Sequence, residues 1–174
     1  MEQRILVPLD GSEVGEAVLL KIKDLVLSSS PPMDTNVTLL QVISKVNFNV
    51  LTTDDAAQLP YDESEVKELT RKSQAYLDKV AAGLFATGIK VNTMVSFGHP
   101  AEEIVTAAHA IKANLIAMST HNHNGFVRWA IGSVTDKVLR LEGKIPVLAV
   151  RAQGKDEASP VLPMESLHSL MKHS

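Results

Sequence analysis

Arg4–Asp10 reads RILVPLD and runs straight on into Gly11-Ser12-Glu13. A run this apolar suits a strand covered on both faces, as in a parallel sheet. The next stretch, Glu13–Ser28, reads as a helix. Ser12 is a plausible N-cap, and Val14, Ala17, Val18, Ile22 and Leu25 recur near helical spacing. A strand leading into a helix is the unit from which the rest of the chain is read.

Four more apolar runs repeat the first: Val37–Ile43 (VTLLQVI), Lys90–Phe97 (KVNTMVSF), Asn114–Ser119 (NLIAMS) and Pro146–Arg151 (PVLAVR). Lys90–Phe97 alternates more than the others, as a strand nearer a sheet edge would. Helical stretches lie between them. Asp62–Phe85 is long and amphipathic, and Gly88 helps to end it. His99-Pro100-Ala101-Glu102-Glu103 has proline at a first helical position and carboxylates in the first turn. Ser133-Val134-Thr135-Asp136 reads as a capping box with Asp in place of Glu, opening a helix that Gly143 and Pro146 stop near Glu142. Alternating strands and helices predict right-handed crossovers and a parallel sheet.

The 174 residues suit one domain, in which about 70% of the unfolded surface is buried. Aromatics are only 4% of the chain, so the core is expected to be aliphatic. With no cysteine there is no disulfide, thiol nucleophile or cysteine-held metal. The start Met1-Glu2-Gln3-Arg4 lacks the pattern of a secretory signal. The net charge of −3 gives no general attraction to nucleic acid or anionic lipid. A cytoplasmic protein with neither a nucleic-acid nor a membrane partner is expected. Residues 1–151 carry the α/β pattern. Ser44–Pro60 is a long polar connection, and 152–174 reads as a flexible tail or a short helix.

In open α/β sheets, ligands bind beyond the carboxyl ends of the strands, where strand order reverses. Two segments qualify: Pro8-Leu9-Asp10-Gly11-Ser12, and Ser119–Ser133, which reads STHNHNGFVRWAIGS. Gly132-Ser133 offers backbone N–H groups, a hydroxyl and a helix start, the parts of an anion site. Asp10 is placed to accept hydrogen bonds from a ribose, and equally placed to cap the next turn. His121 and His123 have no further ligand spaced nearby, so they read as part of a solvated loop rather than a metal site. Trp129 and Phe126 read as packing that loop down. No Walker loop, G-x-G-x-x-G fingerprint, nucleophile elbow or zinc helix is present. Binding without turnover is expected.

The ensemble resembles the universal stress protein family. The matching pieces are ILVPLDGSE (5–13), VTLLQVI (37–43), GHPAEEI (98–104), the 114–133 segment, GSVTDKVLR (132–140) and PVLAVR (146–151). The resemblance implies an α/β fold of the adenine-nucleotide alpha hydrolase-like type. That is a single-domain open five-stranded parallel sheet of order 3-2-1-4-5 with helices on both faces. It implies ATP or AMP as ligand, with Mg or Mn bridging the phosphates, a role in stress response, and a homodimer through strand 146–151. It places Pro8, Asp10, Val42, Met118, Ser119, His121 and Asn122 along the pocket and Gly132, Ser133, Val134 and Thr135 at the phosphates. The family's G-x2-G-x9-G-[ST] motif falls on Ser119, Asn122, Gly132 and Ser133, so its first two glycines are replaced. Asn122 puts an amide where glycine would leave room for a ligand, which implies weakened affinity. The rival readings are a nucleotide-free homodimeric interaction protein and, last, a slow ATPase.

Overall fold

Ile5, Val7 and Leu9 point to one side of the first strand and Leu6 to the other, and all four are buried. This is the period-2 geometry of a strand with helices over both faces. The structure is a computed structural model and describes residues 2–28, 34–44, 62–120 and 133–152. In chain order its elements are β1 (Gln3–Pro8), α1 (Glu13–Leu27), β2 (Thr35–Ile43), α2 (Glu63–Phe85), β3 (Lys90–Phe97), α3 (Pro100–Ala110), β4 (Leu115–Thr120), α4 (Ser133–Leu141) and β5 (Val147–Arg151). The strands form one sheet in the order β3-β2-β1-β4-β5, and every pairing is parallel. The expected order and architecture are therefore observed.

Two cores flank the sheet. On one face Val18 and Ile22 of α1 and Leu77 and Leu84 of α2 meet Ile5, Val7, Val37 and Leu39. On the other, Ala101, Ile104, Ala107 and Ala108 of α3 and Val138 of α4 meet Leu6, Leu40, Ile116 and Met118. Small alanines let α3 lie close to the sheet. Scarce aromatics are matched by a core of Leu, Ile, Val and Ala.

Element ends differ from the sequence reading where side chains take over backbone roles. β1 stops at Pro8, so Leu9 and Asp10 belong to the turn, although the Leu9 N–H still donates to the Leu40 carbonyl at 2.8 Å. Asn114 lies just before β4. Its side-chain oxygen accepts from the Arg4 N–H at 2.8 Å and its own N–H donates to the Arg4 carbonyl at 2.7 Å, starting the β1–β4 pairing. Asp62 caps α2 in a reciprocal box with Glu65, which the sequence reading did not single out. Ser133, expected at the capping position, is already the first helical residue of α4, and the Asp136 carboxylate accepts from Arg140 Nε at 2.8 Å, one turn onward. β3 lies at an edge, as its alternation implied. The connection 45–61 and the tail 153–174 lie outside the described residues.

Candidate functional site

Strand order reverses at β1, which has β2 on one side and β4 on the other. At the carboxyl ends of these strands lies a cavity of about 370 Å³, within the range of small-molecule sites. β1 and its turn supply Pro8, Leu9 and Asp10, β2 supplies Val42, and β4 supplies Met118 and Ser119. α4 supplies Ser133, Val134 and Thr135, and α1 supplies Gly15. Pro100 and Ile104 of α3 complete the wall.

The lining of this cavity is mixed in chemistry. Val42, Pro100, Ile104 and Met118 make an apolar wall suited to a flat, poorly hydrated ring. Asp10, Ser119, Ser133 and Thr135 are polar. Asp10 is the charged side chain among the described lining residues. Its Oδ1 accepts from the Ser12 N–H at 3.0 Å and from the Ser12 hydroxyl at 2.6 Å. That hydroxyl in turn accepts from the Gly15 N–H at 2.9 Å, so Ser12 caps α1 as expected. Gly15 is required here, because a methyl in its place would meet the Asp10 carboxylate. Asp10 therefore does cap its turn, and it also borders the cavity.

Ser119 has a role that its position in the sequence did not reveal. Its hydroxyl donates to the Gly15 carbonyl at 2.9 Å and accepts from the Val18 N–H at 3.0 Å. The hydroxyl is thus committed to α1 and ties β4 to the helix across the cavity floor. A serine at this glycine position of the family motif fastens the two elements together.

Eight of the residues picked from the sequence line one cavity: Pro8, Asp10, Val42, Met118, Ser119, Ser133, Val134 and Thr135. His121, Asn122 and Gly132 lie outside the described residues, as do His123, Phe126 and Trp129. The reading missed Gly15, Pro100 and Ile104, and reached Leu9 only as part of the Pro8–Ser12 segment. The only signal for the α3 pair was their spacing, since residues four apart share a helix face. Among the described residues, no group of three or more His, Cys, Asp or Glu is arranged to hold a metal ion. No described helix is long and apolar enough to cross a membrane.

Comparison with known proteins agrees with this geometry. Universal stress protein MJ0531 of Methanocaldococcus jannaschii is 30% identical over 155 residues, covering 88% of this chain and 85% of the relative. Universal stress protein MJ0577 of the same organism is 29% identical over 160 residues, covering 87% and 96%. The solved structure of MJ0577 superposes with a TM-score of 0.63 at 26% identity, covering 87% of this chain and 97% of that one. A universal stress protein family protein from Arabidopsis thaliana, solved with AMP bound, shares the fold at a TM-score of 0.58 and 12% identity, covering 91% and 97%. The model of the universal stress protein family matches residues 1–151, the span that builds the sheet and the cavity. With that match and a relative at 30% identity along most of both chains, this chain belongs to the universal stress protein family.

Proposed function

We propose that the cavity binds an adenine nucleotide, ATP or AMP, and that the protein is a cytoplasmic regulatory module of stress response that acts by binding rather than by turnover. The observation that carries this reading is a cavity at the switch point lined by both apolar and polar side chains. A purine fits the Val42, Pro100, Ile104 and Met118 wall. Asp10 accepts from ribose hydroxyls, and the start of α4 at Ser133 faces the phosphates with its backbone N–H groups and dipole. AMP in the Arabidopsis relative supports the ligand class. Homodimerisation is part of the same reading: β5 ends the sheet, and antiparallel pairing with a second copy would cover its edge.

The test is Ser133→Asp. A carboxylate at a helix start is favoured by the dipole, so stability should hold or rise by about 0.3–1 kcal/mol. The same carboxylate repels phosphate, which should weaken ATP about tenfold or more in calorimetric titration. Mass spectrometry of nucleotide released from freshly purified protein should show ATP or AMP, and added ATP should hydrolyse at its background rate. If the wild type shows neither co-purified nucleotide nor heat with millimolar ATP, the nucleotide-free interaction protein takes its place. ATP affinity unchanged by Ser133→Asp would move the phosphates away from α4.

A further inference from the structure

Tyr76 stands in the middle of α2, on the sheet face opposite α3 and α4, with its ring against the Ile5–Val7–Leu77 core. Its hydroxyl leaves that apolar surface and donates to Glu16 Oε1 at 3.0 Å, in the first turns of α1. Glu16 is held to the cap in turn, its N–H donating to the Ser12 carbonyl at 3.1 Å. The hydroxyl therefore engages the helical turn that begins at Ser12, the cap that holds Asp10. Burial, and then the Glu16 carboxylate, push the phenol well above its usual range, so it keeps its proton and stays a donor.

The first turn of α1 follows directly on the turn that carries Asp10. Gly11 adopts a positive φ of 84°, a conformation that glycine alone reaches without strain. The Asp10–Ser12 bonds are internal to the turn and move with it. At its start, the turn is tied to β2 through the Leu9 N–H and the Leu40 carbonyl. At its far end the turn runs into the first turn of α1, and the bond from Tyr76, 60 residues along the chain, ties that helical turn to α2 at Glu16. We propose that Tyr76 is a positioning residue for the cavity: by holding Glu16 it fixes the start of α1, and through the Ser12 cap the turn that aims Asp10 at the ribose hydroxyls of a nucleotide. The inference rests on the nucleotide reading above and adds to it a contact from the opposite face of the sheet.

The experiment compares ATP with 2′,3′-dideoxy-ATP, which lacks both ribose hydroxyls, by calorimetry on the full chain. A wild type that reads the ribose through Asp10 should prefer ATP about tenfold, the worth of a hydrogen bond to a charged group. Tyr76→Phe keeps the ring in the core and removes only the hydroxyl. It should cut that preference to about two- to threefold while leaving the affinity for 2′,3′-dideoxy-ATP unchanged. Glu16→Gln keeps an acceptor for the phenol and should retain the preference. Glu16→Ala, which removes the acceptor from the partly exposed α1 side, should lose it, and serves should Tyr76→Phe fail to fold. Equal weakening of both ligands by Tyr76→Phe, or a preference left intact by it, overturns the inference while the nucleotide reading stands. A wild type that binds both ligands equally overturns the role of Asp10 on which the inference depends. A wild type that binds neither ends the nucleotide reading, and the inference with it.

Discussion

Gly15→Ala should destabilise this protein although glycine-to-alanine changes inside helices usually do the reverse. Gly83 supplies the contrast within the same fold: it lies in α2, and a methyl added there meets nothing within 4 Å. Gly83→Ala should therefore show the ordinary gain of about 0.5–1 kcal/mol. At Gly15 the methyl would take the space of the Asp10 carboxylate and lie 3.2 Å from the Ser12 hydroxyl. Asp10 must swing away, giving up the bonds at 3.0 and 2.6 Å from Ser12. These bonds go to a charged acceptor but are exposed, so their loss costs about 1.5 kcal/mol, the low end for such bonds. Disturbing the Ser12 cap adds about 0.5–1 kcal/mol.

The loss exceeds the helix-propensity gain, leaving Gly15→Ala about 1–2 kcal/mol less stable than wild type. The gap between the two variants is then about 2 kcal/mol, or roughly 4–8 °C in Tm for a domain of this size. Urea titration at pH 7 measures the gap, and calorimetry with ATP reports the displaced Asp10 as a several-fold loss of affinity. If Gly15→Ala proves as stable as Gly83→Ala, the Asp10–Ser12–Gly15 cluster does not hold the turn, and the reasoning fails.

Lys112 sits at φ 52° just beyond α3, where a side chain costs about 1–2 kcal/mol. Lys112→Gly should give a net stabilisation of about 0.5–1 kcal/mol after the flexibility of glycine is subtracted, and a lower Tm would refute this. Glu142 is buried, and its carboxyl is held below the usual range by the Ile145 and Lys144 N–H groups, with His109 Nε2 2.8 Å from its other oxygen acting in the same direction. A depressed folded-state value gives stability that is complete above the unfolded value and lost as pH falls through the folded one. The difference in urea midpoint between wild type and Glu142→Gln should therefore shrink as pH falls below about pH 4; a gap unchanged between about pH 5 and pH 3 would contradict it. For the dimer, light scattering should give twice the chain mass at micromolar concentration, and Ala149→Lys, on the exposed side of β5, should give monomers. A wild-type monomer would refute the pairing.

How much of this was legible in the sequence depends on whether a residue acts through its own element or through space. The strands were legible because burial on both faces forces unbroken apolar runs such as Ile5-Leu6-Val7 and Leu39-Leu40, which exposed or single-faced elements do not show. The cavity was half legible, since a parallel sheet fixes that ligands lie beyond strand ends and so points at Asp10 and Ser119 without any side-chain detail. The α3 wall was not, because Pro100 and Ile104 border the cavity through the way α3 packs on the sheet, a fact with no local signature. Tyr76 is the extreme case. Its sequence neighbours explain only why its ring is buried, and its hydroxyl acquires a partner only once α1 and α2 lie side by side. Ser119 shows the same limit inside a recognised motif. Against the motif it is simply a replaced glycine, yet in three dimensions its hydroxyl joins β4 to α1 through the Gly15 carbonyl and the Val18 N–H. A motif departure measures what a ligand loses, and only the packed structure shows what the fold gains in return.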